Sequence, residues 1–198
     1  MRTNYVMIDF ENVQPESLVS LNSEHFHVKV FAGATQTKIS IKMAKALQPL
    51  GDNVKYIEIS GSGKNALDFH IAFYIGHLAA TDPTAYFHII SGDKGFDPLI
   101  KHLKDKKIFV SREKSIPEIP LVKVLAAKTP QDRARLVIEK LRSNAGSTPG
   151  TIKALKSIIM KALLDTINES EIDSIIEFMK KKGDITLTGS KINCNLKA

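Results

Sequence analysis

Residues 86–100 read YFHIISGDKGFDPLI: a short apolar run, a glycine-bounded turn that holds an aspartate, and then helical spacing that starts at Phe96 and runs on to Leu103. Tyr86–Ile90 is aromatic and β-branched with hardly a polar interruption, as a strand covered on both faces should be. Such a strand feeding through a turn into a helix is half of a parallel crossover.

The same signature recurs in both directions. YVMIDF (5–10), HVKVFA (27–32), VKYIEIS (54–60) and KIFVS (107–111) are further short runs bounded by turn chemistry. Longer helical patterns lie between them: Ile39, Met43, Ala46, Leu47 and Leu50 in one, and Leu67, Ile71, Tyr74, Ile75 and Leu78 in another. Pro15–Leu21 is a shorter candidate. Alternation of strand and helix predicts a three-layer α/β sandwich around a central, mostly parallel sheet.

Pro117, Pro120 and Pro130 come after the last run, and each disfavours helix at the residue before it, which predicts an irregular connector over 116–130. A small helical domain over 131–198 comes next, leaving 1–115 to the sandwich. In it Ala134, Val137, Ile138 and Leu141 form one apolar face, and Ile152, Leu155, Ile158 and Ile159 another. Asn168 with Glu171 three residues on reads as a capping box for a helix through Ile172, Ile175, Ile176 and Met179. That helix should stop at Lys180-Lys181-Lys182-Gly183. DITLTGSKINCNL (184–196) alternates around Gly189-Ser190 as a terminal β-hairpin, giving the outline of a winged helix.

Charge and composition narrow the function. Lys and Arg number 28 against 21 Asp and Glu, and the sequence pI is near 9.4, a balance that favours polyanionic partners. From Leu125 onward there are 13 basic and 8 acidic residues, so most of the excess lies in the appendage. One cysteine, Cys194, excludes an internal disulfide framework and a cysteine-rich zinc site, and reads as a small packed residue. With no apolar signal core and no stretch long enough to span a bilayer, the expectation is a cytoplasmic protein without membrane contact.

Ligand sites in open α/β sheets form beyond the carboxyl ends of the strands. Asp9 and Glu11 end the first run, Asp93 follows HIIS, and Asp68 lies at the start of the helix entered from ISGSGKN. Asp97, four residues past Asp93, would share a face with it if a helix has begun by then. At about 5 Å and an effective dielectric of about 20, each like-charged pair costs roughly 3 kcal/mol, so a bound cation or raised pKa values must compensate. Oxygen ligands without cysteine select Mg²⁺ or Mn²⁺. Glu11 is a further candidate ligand, and Lys38, Lys64 and Lys94 lie in loops expected at the same rim, where they could hold phosphates. His70, two positions past Asp68, points to another side of the helix and reads as packing.

DFENV (9–13), the aspartate of NALDFHIAFYI and SGDKGFDPLI, in that order, resemble the PIN-like nucleases, particularly their NYN branch and its bacterial PIN-like relatives, over roughly residues 1–115. The resemblance implies a ribonuclease in which Asp9, Asp68, Asp93 and Asp97 hold Mg²⁺ while Asn12 orients the Asp9 end. The C-terminal unit resembles the small winged-helix-like modules that accompany such nucleases, assisting RNA or partner binding. Relatives of this kind often pair, and a protein inhibitor is a further partner to consider; no exposed apolar stripe legible in the sequence demands pairing.

Rival motifs are weaker. Gly61-Ser62-Gly63-Lys64-Asn65 lacks the first glycine of a phosphate loop, where Glu58 stands, and has Asn65 in place of Ser or Thr; Gly61 and Gly63 suit a tight turn instead. Gly92-Asp93-x-x-x-Asp97 also resembles the Mg²⁺ motif of haloacid-dehalogenase phosphatases. Their Asp-x-Asp nucleophile motif is here Asp9-Phe10-Glu11, and Asp68 goes unexplained. A non-catalytic RNA-binding or protein-docking module of the same fold is the third alternative.

Overall fold

The computed structural model describes residues 2–13, 18–21, 23–61, 63–143, 148–188 and 191–195, and the chain forms two compact units, residues 1–122 and 123–198. The first is built on five strands: β1 (Asn4–Asp9), β2 (Phe26–Ala32), β3 (Val54–Glu58), β4 (Tyr86–Ile90) and β5 (Phe109–Glu113). Their order is β3-β2-β1-β4-β5 and every pairing is parallel. The chain builds outward from β1 on one side and then returns to place β4 on the other. The crevice past the carboxyl ends of β1 and β4 is therefore the topological switch point, where sheets of this kind bind ligands.

Helices α1 (Ile41–Leu47), α2 (Ala66–Thr81) and α3 (Asp97–Asp105) connect the strands. Met7, Phe31, Phe87, Ile89 and Val110 of the sheet pack with Leu67, Ile71 and Ile75 of α2 and Ile100 and Leu103 of α3 in one core. Along β1 and β4 both faces are covered, which is why those strands read as unbroken apolar runs. Edge strand β3 is half-buried to exposed, with Lys55, Tyr56 and Glu58 in solvent.

Several local expectations change. The pattern from Ile39 to Leu50 becomes a shorter helix capped by Ser40, followed by 3₁₀ structure from Gln48, because Pro49 and then Gly51 (φ 52°) break the α-helical ladder. In the Pro15–Leu21 candidate, residues 15–17 lie outside the described residues, and Val19–Leu21 is a 3₁₀ turn. The 116–130 connector holds a 3₁₀ turn at Ile116–Glu118 and helix α4 (Pro120–Ala126). Two of its prolines start helices instead of breaking them: Pro120 opens α4 and Pro130 opens α5, the first-turn position where a missing N–H costs nothing.

The second unit contains α5 (Pro130–Ser143), α6 (Ile152–Ala162), α7 (Glu169–Lys182) and the antiparallel pair β6 (Ile185–Thr188) and β7 (Lys191–Cys194). Ala134, Val137 and Leu141 meet Leu155, Ile159, Ile172, Ile175, Ile176 and Met179 in its core, with Ile185 and Ile192 of the hairpin. The capping box at Asn168 and Glu171 is present in both directions, and Gly183 closes α7 at φ 77° after three lysines. The Gly189-Ser190 turn and Leu196 lie outside the described residues. No helix among the described residues is long and apolar enough to cross a membrane.

Candidate active site

Asp9 is the last residue of β1 and is fully buried. A carboxylate in that position must be hydrogen-bonded. Asn12 Nδ2 donates to its Oδ2 at 2.8 Å, the Asn12 backbone N–H to its Oδ1 at 3.3 Å, and Ser91 Oγ to its Oδ2 at 2.6 Å. Asn12 thus reaches both oxygens of the Asp9 carboxylate, one from its side chain and one from its backbone.

Ser91 joins two strand ends. It comes directly after β4, is fully buried, donates to Asp9, and accepts from the Asp93 backbone N–H at 3.0 Å. Asp93 in turn caps the 3₁₀ turn Lys94–Phe96, accepting from Gly95 N–H at 2.7 Å. Ser91 is not among the sequence-based candidates. Its one signal is its place at the strand end, two positions before Asp93.

Asp68 stands in the first turn of α2, half-buried. Its pKa is raised by burial first, and then by the negative charges of Asp9, Asp93 and Glu11. Three of the other four candidate acids therefore act on Asp68 at the switch point. Glu11 reaches back across Gly33: a Cβ placed on that glycine would lie 1.8 Å from Glu11 Oε1. The missing side chain at position 33 is what gives the Glu11 carboxylate its place. A small cleft beside it is lined by Glu11, Thr35, Ile59, Gly61, Gly63 and Ala66.

Asp97 is arranged differently. The α-helix begins at Asp97 itself and Asp93 caps the 3₁₀ turn ahead of it, so the two do not share a helical face. The Arg112 guanidinium clasps the Asp97 carboxylate, with Nε at 2.9 Å from Oδ1 and Nη2 at 3.3 Å from Oδ2, and Nη1 donates to the Ser91 carbonyl at 3.3 Å. The Arg112 hydrogen bond holds the Asp97 pKa below its usual range, assisted by the charges of Arg112 and Lys94. Arg112, near the end of β5, gives no signal in the sequence beyond being one arginine in a strand.

Lys38, Lys64 and Lys94 are exposed in the segments after β2, β3 and β4. His70 Nδ1 donates to the Ala66 carbonyl at 2.7 Å, a bond within α2. Among the described residues no three His, Cys, Asp or Glu side chains close into a group that could hold a metal ion as they stand. The donor chemistry nevertheless suits a hard divalent cation: carboxylate oxygens, an amide and a hydroxyl, with no sulfur or imidazole among them.

The family model for the PIN domain matches residues 3–113. No curated protein and no solved structure matches the chain. PIN domains are nuclease-type folds that typically use divalent ions such as Mg²⁺ or Mn²⁺. The match covers more than half of the chain and spans all five strands together with the acids at their carboxyl ends, and on that ground the chain belongs to the PIN domain family.

Proposed function

We propose that this protein is a metal-dependent ribonuclease of the NYN or bacterial PIN-like kind, its site formed by Asp9, Asp68, Asp93 and Glu11. The observation that carries the reading is the raised pKa of Asp68 under the combined charge of Asp9, Asp93 and Glu11. Acids so placed at a strand-end crevice hold a field that a divalent cation would discharge. Asp9, Asp68 and Asp93 would hold Mg²⁺ or Mn²⁺, with Glu11 completing the shell and Asp97 joining it only on release from Arg112. When bound, such a cation supplies a water of lowered pKa and stabilises charge on a phosphodiester oxygen.

The chain's own part is positional. Asn12 and Ser91 keep Asp9 in one orientation, and Ser91 ties that carboxylate to the backbone that presents Asp93. Lys38, Lys64 and Lys94 would engage flanking phosphates, and Arg112 neutralises Asp97 so that it adds less to the repulsion. The C-terminal helices and hairpin, which carry most of the excess positive charge, would serve as a winged-helix-like module for RNA.

Incubating the protein with labelled single-stranded and structured RNA in Mg²⁺, Mn²⁺ or EDTA tests this. Cleavage in either metal and none in EDTA is expected. Cleavage that survives EDTA would refute the metal mechanism, and hydrolysis of small phosphomonoesters without RNA cleavage would identify a phosphatase instead.

A further inference from the structure

α2 is apolar on two opposite sides. One side carries Leu67, Ile71 and Ile75 into the core. The other is open to solvent, yet it presents Phe69 at 70% exposure and Phe73 at 66%, followed by exposed Gly76 and Ala80. These four positions have the i, i+4, i+7, i+11 spacing of a helix–helix seam and lie along one line. This is an exposed apolar stripe that could not be read from the sequence.

Gly76 gives the stripe a second feature. A glycine in a helix interior is unfavourable relative to alanine, and a Cβ added there would meet no atom within 4 Å among the described residues. The unit's own packing does not call for it. A glycine that none of the described residues requires, between exposed phenylalanines and alanine, has the form of a hole for an external knob.

We propose that this face pairs two copies of the chain through an antiparallel contact of their α2 helices. Around a two-fold axis midway between Tyr74 and Ile75, Phe73 of each copy meets Gly76 of the other, and Phe69 meets Ala80. Large residues fall opposite small ones at both levels, as a self-complementary isologous contact requires. His77, stacked on Phe73 at 6.0 Å between ring centroids, flanks the seam. Charge agrees with the pairing: α2 has no Lys or Arg, and its one carboxylate, Asp68, lies near the end of the helix, so the two copies of Asp68 stay far apart. The same lack of cations makes the face a poor match for a nucleic acid.

One consequence concerns the acid clusters. The two Asp68 residues would stand about 20 Å apart along the paired helices, thirteen residues at 1.5 Å each. A single helix pair is a small interface, so the association should be reversible.

Sedimentation velocity on the full chain, from low to high micromolar, should show a monomer–dimer equilibrium. Phe73→Glu should remain monomeric with an unchanged circular dichroism spectrum. Gly76→Leu, which has room within its own chain, should fold at least as stably and also remain monomeric. In a Cys194→Ser background, the Phe69→Cys/Ala80→Cys double variant should cross-link into dimers on oxidation, whereas Phe69→Cys alone should not. A parent protein that stays monomeric throughout, pairing that survives both Phe73→Glu and Gly76→Leu, or cross-linking by Phe69→Cys alone would each overturn the proposal. So would a monomeric parent whose RNA affinity falls in Phe73→Glu, which would assign the face to nucleic acid.

Discussion

Asp68 holds its proton more tightly than an ordinary aspartate because it is partly desolvated and faces Asp9, Asp93 and Glu11. An acid whose folded pKa is raised above its unfolded value lowers stability once ionised. The loss begins as pH climbs through the ordinary aspartate range, grows until pH passes the folded pKa, and is constant above it. Asp68→Asn should therefore raise Tm of the metal-free protein at neutral pH, and the gain should disappear below the ordinary aspartate pKa. Thermal melts across that range would check it; a gain that does not change with pH would be evidence against the coupling. Gly33→Ala tests the position of Glu11: the new methyl must displace that carboxylate, so Mn²⁺ affinity should drop while Tm changes little, as calorimetric titration and melting would show. The acids themselves are legible in the sequence because they punctuate apolar runs, where a charge is conspicuous. Ser91 and Arg112 are not, since a hydroxyl at a strand end and a guanidinium reaching across from β5 acquire their roles only once distant strand ends become neighbours.

At the level of elements, the strands are legible from composition and the α7 caps from two polar residues at fixed spacing. Replacing Asn168 with Ala should cost about 1 kcal/mol, the usual worth of such a cap, measurable by urea unfolding. The prolines at 117, 120 and 130 mislead because proline both disfavours helix before it and suits a helix's first turn, and only the burial of the neighbouring side chains decides which effect wins. Leu121, Val122 and Val124 are buried, and that burial favours helix over an irregular connector. The α2 stripe is hidden for the opposite reason. A helix apolar on two opposed faces shows no single amphipathic direction, so Phe69 and Phe73 blend with the core positions until their exposure is known.

Across the whole chain, the two units divide the work proposed for them. The PIN domain carries the acids with nearly balanced charge, while the residues from Leu125 onward carry most of the positive excess. If that part docks RNA, replacing exposed Lys181 and Lys182 by Gln should weaken binding uniformly across sequences. It should also reduce the salt slope of binding by about 0.7 for each phosphate no longer engaged. Binding titrations at several salt concentrations would show it, and an unchanged slope would remove these lysines from the RNA interface. Whether the acids at the carboxyl edge of the sheet cut RNA with a divalent ion is decided by the single-turnover cleavage rate of Asp93→Asn in Mn²⁺. A loss of at least about a hundredfold with the fold intact is expected, beyond what removing a mere supporting group costs; a rate close to that of the parent protein would take Asp93, and with it the acid cluster, out of the chemistry.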